Sequence, residues 1–299
     1  MKLSICVITM NRSTQLKEAL SSCLKCQLPK NSQFIVIDNA STDDTEVSIK
    51  NLLNNCNYDY YYEKLPVNLG VGGGRNYAFE KASGEYVYML DDDAVIDYEN
   101  TPDFFIRAIE ILDKNPTVVT MTTQIYDTAW EKNRVENNGP KISNELYKCL
   151  MFCGGSHFLR RSFYVTAPYL SNKYGYEELP PSLKASNEGK INAFCPELAI
   201  IHKPMLNKWD WNDERNHELL IKGIALPYAI KKTMYPKIAT PLLNLAKRRR
   251  IKLYMKQINN AKRRVNDAAT AFCKEYPIDM KIKVSTLIRL FKDFGLSTF

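Results

Sequence analysis

A chain of 299 residues that is 45% hydrophobic and 25% charged, with 12 glycines and 14 prolines, can bury one substantial core and is excluded from the disordered and fibrous classes. Its net charge of +8 is local: residues 226–265 hold twelve Lys/Arg and no Asp or Glu, so the rest of the chain sums to −4. That excludes a generally cationic protein and points to one face or tail meeting an anionic surface.

The opening MKLSICVITMNR enters a strand-like run at once and reaches Asn11 and Arg12 within a few residues. It is too short for a signal-peptide core or a membrane span, so a cytoplasmic location is expected. Residues 3–9 (LSICVIT) form the nearly continuous apolar run that a buried parallel strand requires. Leu16, Ala19, Leu20 and Cys23 then recur at helical spacing, and Pro29 closes the unit. FIVIDN (34–39) is a second strand, followed by a helix carrying Val47, Ile49, Leu52 and Leu53. Two strand–loop–helix units in succession predict a doubly wound α/β sheet.

A short aromatic strand, YDYYYEK (58–64), leads into a glycine-rich turn at Gly70 and Gly72 to Gly74, with a helix from Arg75 to Ala82. EYVYML (85–90) is a central strand by its apolar content and ends in Asp91, Asp92 and Asp93. A helix follows Pro102, and VVTMTTQIYD (118–127) is another strand. Residues 128–146 are polar and irregular, while MFCGGSHFLRR (151–161) predicts a strand followed by a helix start. INAFCPELAIIHK (191–203) ends the α/β region, whose boundary is expected near 225. Beyond it, Ile251, Tyr254, Ile258, Ala261, Val265, Ala268 and Phe272 repeat at spacings of three and four, which predicts an amphipathic basic helical tail. The eight cysteines include Cys23 and Cys26 at redox spacing. The pair sits late in a helix and no second pair completes a zinc site, so buried free thiols are expected.

Three adjacent aspartates after an apolar strand raise one another's pKa unless something cancels their charge, and a divalent cation does so. At a strand-to-loop turn Asp91 and Asp93 can converge on one ion, although a solvated acidic turn also fits the pattern. Asp38 closes a neighbouring strand. The first strand is followed by Thr9-Met10-Asn11-Arg12 with no glycine, so the dinucleotide fingerprint is absent, and GVGGGRN has no GK[ST] and is no P-loop. Gly72 to Gly74 could bring backbone close to a nucleotide, with Arg75 facing phosphate, or could simply make a tight turn.

These stretches together resemble the family 2 glycosyltransferases. The matching segments are ICVITMNR, VIDNASTDDT, NLGVGGGRNYAFEKASGEYVYMLDDDA, FCGGSHFLRR, YGYEE and AIIHK, in the family's order over roughly residues 3–203. The resemblance implies a GT-A-type mixed sheet with the basic amphipathic extension appended to it. It implies a nucleotide-sugar donor and a Mn²⁺ or Mg²⁺ cofactor. Asp38 is placed against the nucleobase, Asp91 near the ribose, and Thr9, Asn11, Arg12, Gly73, Arg75 and Asp92 with the donor nucleotide. Asp93 becomes the direct metal ligand, joined by Asp91 and His202. Glu178, or second to it Glu177, becomes the base of an inverting displacement.

The sequence departs from the family just after this acidic pair, where Pro180 and Pro181 predict that Leu179 is extended. The residues alone also allow a solvated helix start at Glu177 and Glu178, and a core histidine at His202. Trp209 and Trp211 could stack on a sugar or anchor the tail, and Gly154 to His157 could border the acceptor pocket or make a plain turn.

Three parts follow: 1–115 for the donor, 116–225 for the acceptor and base, and 226–299 as a membrane-associating tail. The expected partners are a glycan or lipid-linked glycan acceptor and an anionic membrane surface at its inner face through residues 226–265. A homodimer is kept as an option; nucleic acid is not expected, because the aspartate cluster would repel it. Rival classes are a nucleotidyltransferase and a non-catalytic nucleotide-sugar-binding scaffold of a glycan assembly complex.

Overall fold

The computed structural model describes all residues except 135–138, 174 and 205–211. The expected ring-stacking residues Trp209 and Trp211 therefore lie outside the described residues. In chain order the elements begin with β1 (Leu3–Thr9), α1 (Ser13–Lys25), β2 (Ser32–Asp38), α2 (Thr45–Asn54), β3 (Asp59–Lys64), α3 (Gly70–Lys81), β4 (Tyr86–Asp91), β5 (Ala94–Ile96) and α4 (Phe104–Lys114). They continue with β6 (Val118–Asp127), β7 (Lys132–Asn133), β8 (Tyr147–Lys148), β9 (Ser156–Arg160), α5 (Leu179–Asn187) and β10 (Ile191–His202). Four helices follow: α6 (Glu214–Met234), α7 (Thr240–Tyr254), α8 (Ala261–Glu275) and α9 (Val284–Phe294).

The strands form one mixed sheet in the order β3-β2-β1-β4-β9-β6-β10-β5, with β7 on β6 and β8 on β10. β1, β2, β3 and β4 are mutually parallel, as continuous apolar runs such as LSICVIT require. β9 is antiparallel to both β4 and β6, and β10 is parallel to β6. One reversed strand therefore restores the original polarity beyond itself. The carboxyl ends of β1, β4, β6 and β10 and the start of β9 share one edge, where open α/β sheets bind ligands.

Helix α1 buries Leu16, Ala19, Leu20 and Cys23 as their spacing predicts, whereas Val47 of α2 points outward and is 65% exposed. The glycine run is no turn before a helix but the first turn of α3 itself. A Cβ on Gly72 would lie 1.9 Å from the Leu170 carbonyl oxygen, and the Val71 and Gly72 N–H groups donate to Lys173 O (3.0 Å) and Asn172 O (3.3 Å). The glycines thus let a distant loop cap the helix with its own carbonyls.

Leu179 is helical, not extended. Pro180 and Pro181 occupy the first turn of α5, where an N–H has no intrahelical acceptor and a fixed φ suits the helix. The segment 151–161 also differs from expectation: only Ser156–Arg160 is strand, and no helix follows it directly. All eight cysteines are free, but not all are buried, since Cys273 is exposed. Burial pushes the Cys23 thiol upward and raises Cys26 to about 12, so neither is a ready thiolate.

The expected boundary at 225 falls inside the continuous helix α6. The expected tail stripe is broken by residues 255–260, and most of it points inward. Ile258, Ala261, Val265 and Phe272 join a second core with Leu179 and Leu183 of α5 and Ile221, Ala225 and Ile230 of α6, whereas Tyr254 is exposed. Among the described residues no helix is long and apolar enough to cross a membrane.

Candidate active site

The sheet edge assembles the site from main-chain registration. Asp91 ends β4 opposite Ile8 of β1, and the turn through Asp92 and Asp93 leads into β5. The Thr9 hydroxyl donates to Asp92 Oδ2 (2.7 Å), and Arg12 Nη1 donates to Asp92 Oδ1 (2.9 Å) and Asp93 Oδ2 (2.8 Å). His202, the last residue of β10, pairs in register with Ala94 and with Asp127, and Lys203 N–H donates to the Asp93 carbonyl (2.8 Å). The imidazole is flanked by two carboxylates: Nε2 is 3.1 Å from Asp93 Oδ1 and Nδ1 is 3.1 Å from Asp127 Oδ2.

Asp127 is fully buried, receives the Ala129 N–H (3.0 Å) and lies 2.8 Å from Arg134 Nε. Burial would lift Asp93, but His202 and Arg12 outweigh it and hold the carboxyl below its ordinary range. Burial likewise opposes the charged form of His202, yet Asp93 raises its pKa on balance.

Asp91, Asp93 and His202 can each offer one ligand atom within 4.8 Å of the others. Two hard carboxylates and an imidazole suit Mn²⁺ or Mg²⁺, and a buried acid behind the ring is the usual partner of a metal-bound histidine. The residues present fit a divalent cation.

Across the cavity, Arg75 gathers a second group of acids. Its Nη1 donates to Glu177 Oε1 (2.9 Å) and Glu178 Oε1 (2.7 Å), and its Nη2 to Asp91 Oδ1 (2.7 Å) and the Gly154 carbonyl (2.9 Å). Burial first, then the neighbouring Glu177 charge, lifts Glu178 to about 8 against the opposing pull of Arg75. Glu177 Oε2 is buried with no hydrogen-bond partner. Five carboxyl groups thus face two guanidiniums, Arg12 and Arg75; even with Glu178 protonated the acids outnumber them, and a divalent cation would cancel the excess negative charge. Arg75 thus meets three carboxylates and one backbone carbonyl, which ties the two acidic groups together.

These groups line one cavity of about 690 Å³. Thr9, Arg12, Arg75, Asp91, Asp92, Asp93, Glu177, Glu178 and His202 all border it. Asn11, Asp38 and Gly73 are not among its lining residues. Asp38 is wholly buried, with its carboxylate taken by the Tyr62 hydroxyl (2.7 Å) and the Ser41 N–H (2.7 Å). Asn11 has a φ of +54° and accepts the Thr42 N–H at 2.7 Å, so it shapes the loop beside the cavity. Sequence reasoning missed Asp127 and Arg134 behind and beside His202, and Asn39, Asn68, Lys173 and Tyr176 on the wall. Only Asp127 carried a signal, as an acid ending a strand beside the histidine strand.

His157 is also buried, its Nε2 2.5 Å from the Tyr169 hydroxyl, and its desolvation keeps it neutral; it supports the Arg75 wall and does not line the cavity.

The family model for glycosyl transferase family 2 matches residues 4–166. Among curated proteins, the chain is 37% identical over 92 residues to the GalNAc(5)-diNAcBac-PP-undecaprenol beta-1,3-glucosyltransferase of Campylobacter jejuni, covering 31% of this chain and 29% of that protein. It is 34% identical over 112 residues to the poly-beta-1,6-N-acetyl-D-glucosamine synthase of Staphylococcus epidermidis, covering 38% and 26%. The chain thus matches little more than a quarter of the length of either relative. Among solved structures, TarS 1-349 of S. aureus in complex with UDP-GlcNAc superposes with a TM-score of 0.65 at 15% identity, over 100% of this chain and 89% of that one. GalNAc-T7 with UDP, GalNAc and Mn2+ gives 0.64 at 14% identity, over 94% and 59%. At such identities these likenesses show the fold, which is that of the GT-A glycosyltransferases. With more than half of its residues matched by the family model, this chain belongs to glycosyl transferase family 2.

Proposed function

We propose that the chain is an inverting, metal-dependent hexosyltransferase. It moves a sugar from a UDP- or dTDP-sugar to a hydroxyl of a lipid-linked or cell-surface glycan precursor. The observation that carries this reading is the meeting of Asp91, Asp93 and His202 with Glu177 and Glu178 in one cavity, bridged by Arg75. The undecaprenol-linked glycan and the poly-N-acetylglucosamine in the names of the two curated relatives support the acceptor class, and UDP-GlcNAc and Mn2+ in the structural neighbours support the donor and ion.

Residues 1–115 take the donor and 116–225 supply the acceptor side and the base. Departure of a nucleoside diphosphate leaves charge on its β-phosphate, and a divalent cation held by Asp93, Asp91 and His202 would supply the compensating charge there. Arg12 and Thr9 fix the aspartate turn, while Asp38 and Asn11, from just behind the cavity wall, set the loop against the nucleobase. Glu178, in the ionised form that grows in toward about pH 8, takes the acceptor hydroxyl proton as that oxygen attacks the anomeric carbon. Glu177 is second in line for the same role. In this reading the basic extension, residues 226–265, faces the anionic inner surface of the membrane, and the enzyme works from the cytoplasm as a peripheral protein.

A thermal-shift screen of nucleotide sugars with and without Mn²⁺ tests donor and metal together. One UDP- or dTDP-sugar is expected to raise the unfolding temperature only with the ion, and Asp93→Ala to lose both the shift and transfer. Donor binding indifferent to divalent ions, or a product that keeps the donor's anomeric configuration, overturns the proposal.

A further inference from the structure

Most of the apolar stripe read along the tail is buried, but a different row of aliphatics is not. Ile238, in the short 3-10 turn before α7, is 74% exposed, and Leu242 and Leu245 of α7 are 42% and 63% exposed. Steps of four and three put these residues on one line of the helix, and the same line continues through Arg249 and Lys252 with Arg248 beside it. Helix α7 buries only Leu243 and Lys247, so most of its surface is open.

The cations of the extension divide in the same way. Lys231 and Lys247 are buried, Arg264 pairs with Glu214 and Glu218, and Arg250 donates to the Phe299 carbonyl (3.1 Å). Arg248, Arg249, Lys252 and Lys256 are exposed, and no Asp or Glu occurs between Glu218 and Asp267.

We propose that the outward line of α7 is a membrane-docking ridge, in which Ile238, Leu242 and Leu245 enter the interfacial layer of an anionic bilayer while Arg248, Arg249 and Lys252 engage its phosphates. The inference rests on reading the basic extension as membrane-facing and replaces simple electrostatic adsorption with apolar insertion. An exposed row of aliphatics that runs on into exposed cations, in a stretch of chain without acids, matches an anionic lipid interface. A second copy of the ridge would set cations against cations, and a nucleic-acid backbone gives three aliphatic side chains nothing to bury against. α9 also shows exposed apolar residues (Val284, Ile288 and Phe291), but its Asp293 is paired with Lys148 and breaks the cationic field. Leu243, on the buried side of α7, shares a core with Tyr176 of the cavity wall, so a lipid-linked acceptor would be presented beside the cavity.

The test is flotation of the full chain with phosphatidylglycerol/phosphatidylcholine vesicles and with phosphatidylcholine alone. Wild type is expected to float with the anionic vesicles. Leu242→Ser with Leu245→Ser should lower partitioning roughly tenfold while leaving thermal unfolding and transfer to a short soluble acceptor unchanged. Arg248→Gln with Arg249→Gln should leave a weaker association that responds less steeply to salt. Leu245→Trp should blue-shift in emission on adding anionic vesicles. Wild-type flotation untouched by the double serine change overturns the ridge and spares the membrane reading. So does loss of flotation on Ile288→Ser with Phe291→Ser alone. Absence of wild-type flotation, or salt-sensitive binding to duplex DNA without flotation, overturns both.

Discussion

His202 is held between Asp93 and a fully buried Asp127, with the latter on Nδ1, which leaves Nε2 directed at the aspartate turn. An acid behind a ligating imidazole fixes its orientation and raises its basicity. Asp127→Asn keeps the shape and loses the charge, so Mn²⁺ affinity should fall about ten- to a hundredfold, read by the free-ion EPR signal in the presence of UDP. Unchanged affinity would take His202 out of the metal site. The same scale holds a pH prediction. Glu178 sits at about 8 against an ordinary value of 4.5, so its base form appears as pH rises, and kcat/KM should climb up to about pH 8 and then level. Glu178→Gln should abolish that limb together with most of the rate, whereas Glu177→Gln should keep the limb and move it to lower pH. The sign for folding is opposite: the folded chain holds this proton more tightly than the unfolded one, so its contribution to stability is present in acid and is lost between about pH 4.5 and 8. Gly154 is tied to the same carboxylate, since a Cβ there would lie 1.9 Å from Glu178 Oε1 and 2.7 Å from Arg75 Nη1. Gly154→Ala should cost about a hundredfold in kcat with the fold retained, as measured by circular dichroism beside the assay.

At the level of elements, the parts that fill a period were legible in the sequence. The apolar runs of β1, β2, β4 and β6 and the spacing of Leu16, Ala19, Leu20 and Cys23 predict what forms, because burial on the sheet dictates them. What failed was local context decided by distant chain. The glycines of α3 look like a turn until the loop that caps them, 170–173, is placed against them. Leu179 looks extended until α5 is seen to start there on the core of α6. Asp38 meets the Ser41 N–H with one oxygen and Tyr62, from the edge strand β3, with the other, a pairing no spacing announces. Gly72→Ala tests the first of these. With the Leu170 carbonyl 1.9 Å from the added carbon and belonging to backbone, the change should destabilise by about 1–3 kcal/mol in urea unfolding and lower transfer by shifting Arg75.

For the molecule as a whole, the helical extension is no detachable tail. It supplies the core on which Leu179 and Leu183 of α5 rest, directly after the two candidate bases, and the Tyr176 hydroxyl donates to the Gly223 carbonyl at 3.0 Å. A chain ended at residue 225 cuts α6 in two and strips those partners. It should aggregate, or lose transfer even toward a soluble acceptor, as size-exclusion chromatography and the assay would show. Full activity after that cut would separate the extension from catalysis. The sequence could not disclose this, because amphipathic spacing says that a stripe is buried somewhere and never against what.

The short β5 follows Asp93 directly and pairs with the end of β10, so the third aspartate and His202 are stitched together by peptide hydrogen bonds before any ligand arrives. An ion settling there closes a clasp between an early and a late stretch of chain. Occupancy should therefore be felt far from the cavity, as slower amide exchange across the strands that those two stretches anchor.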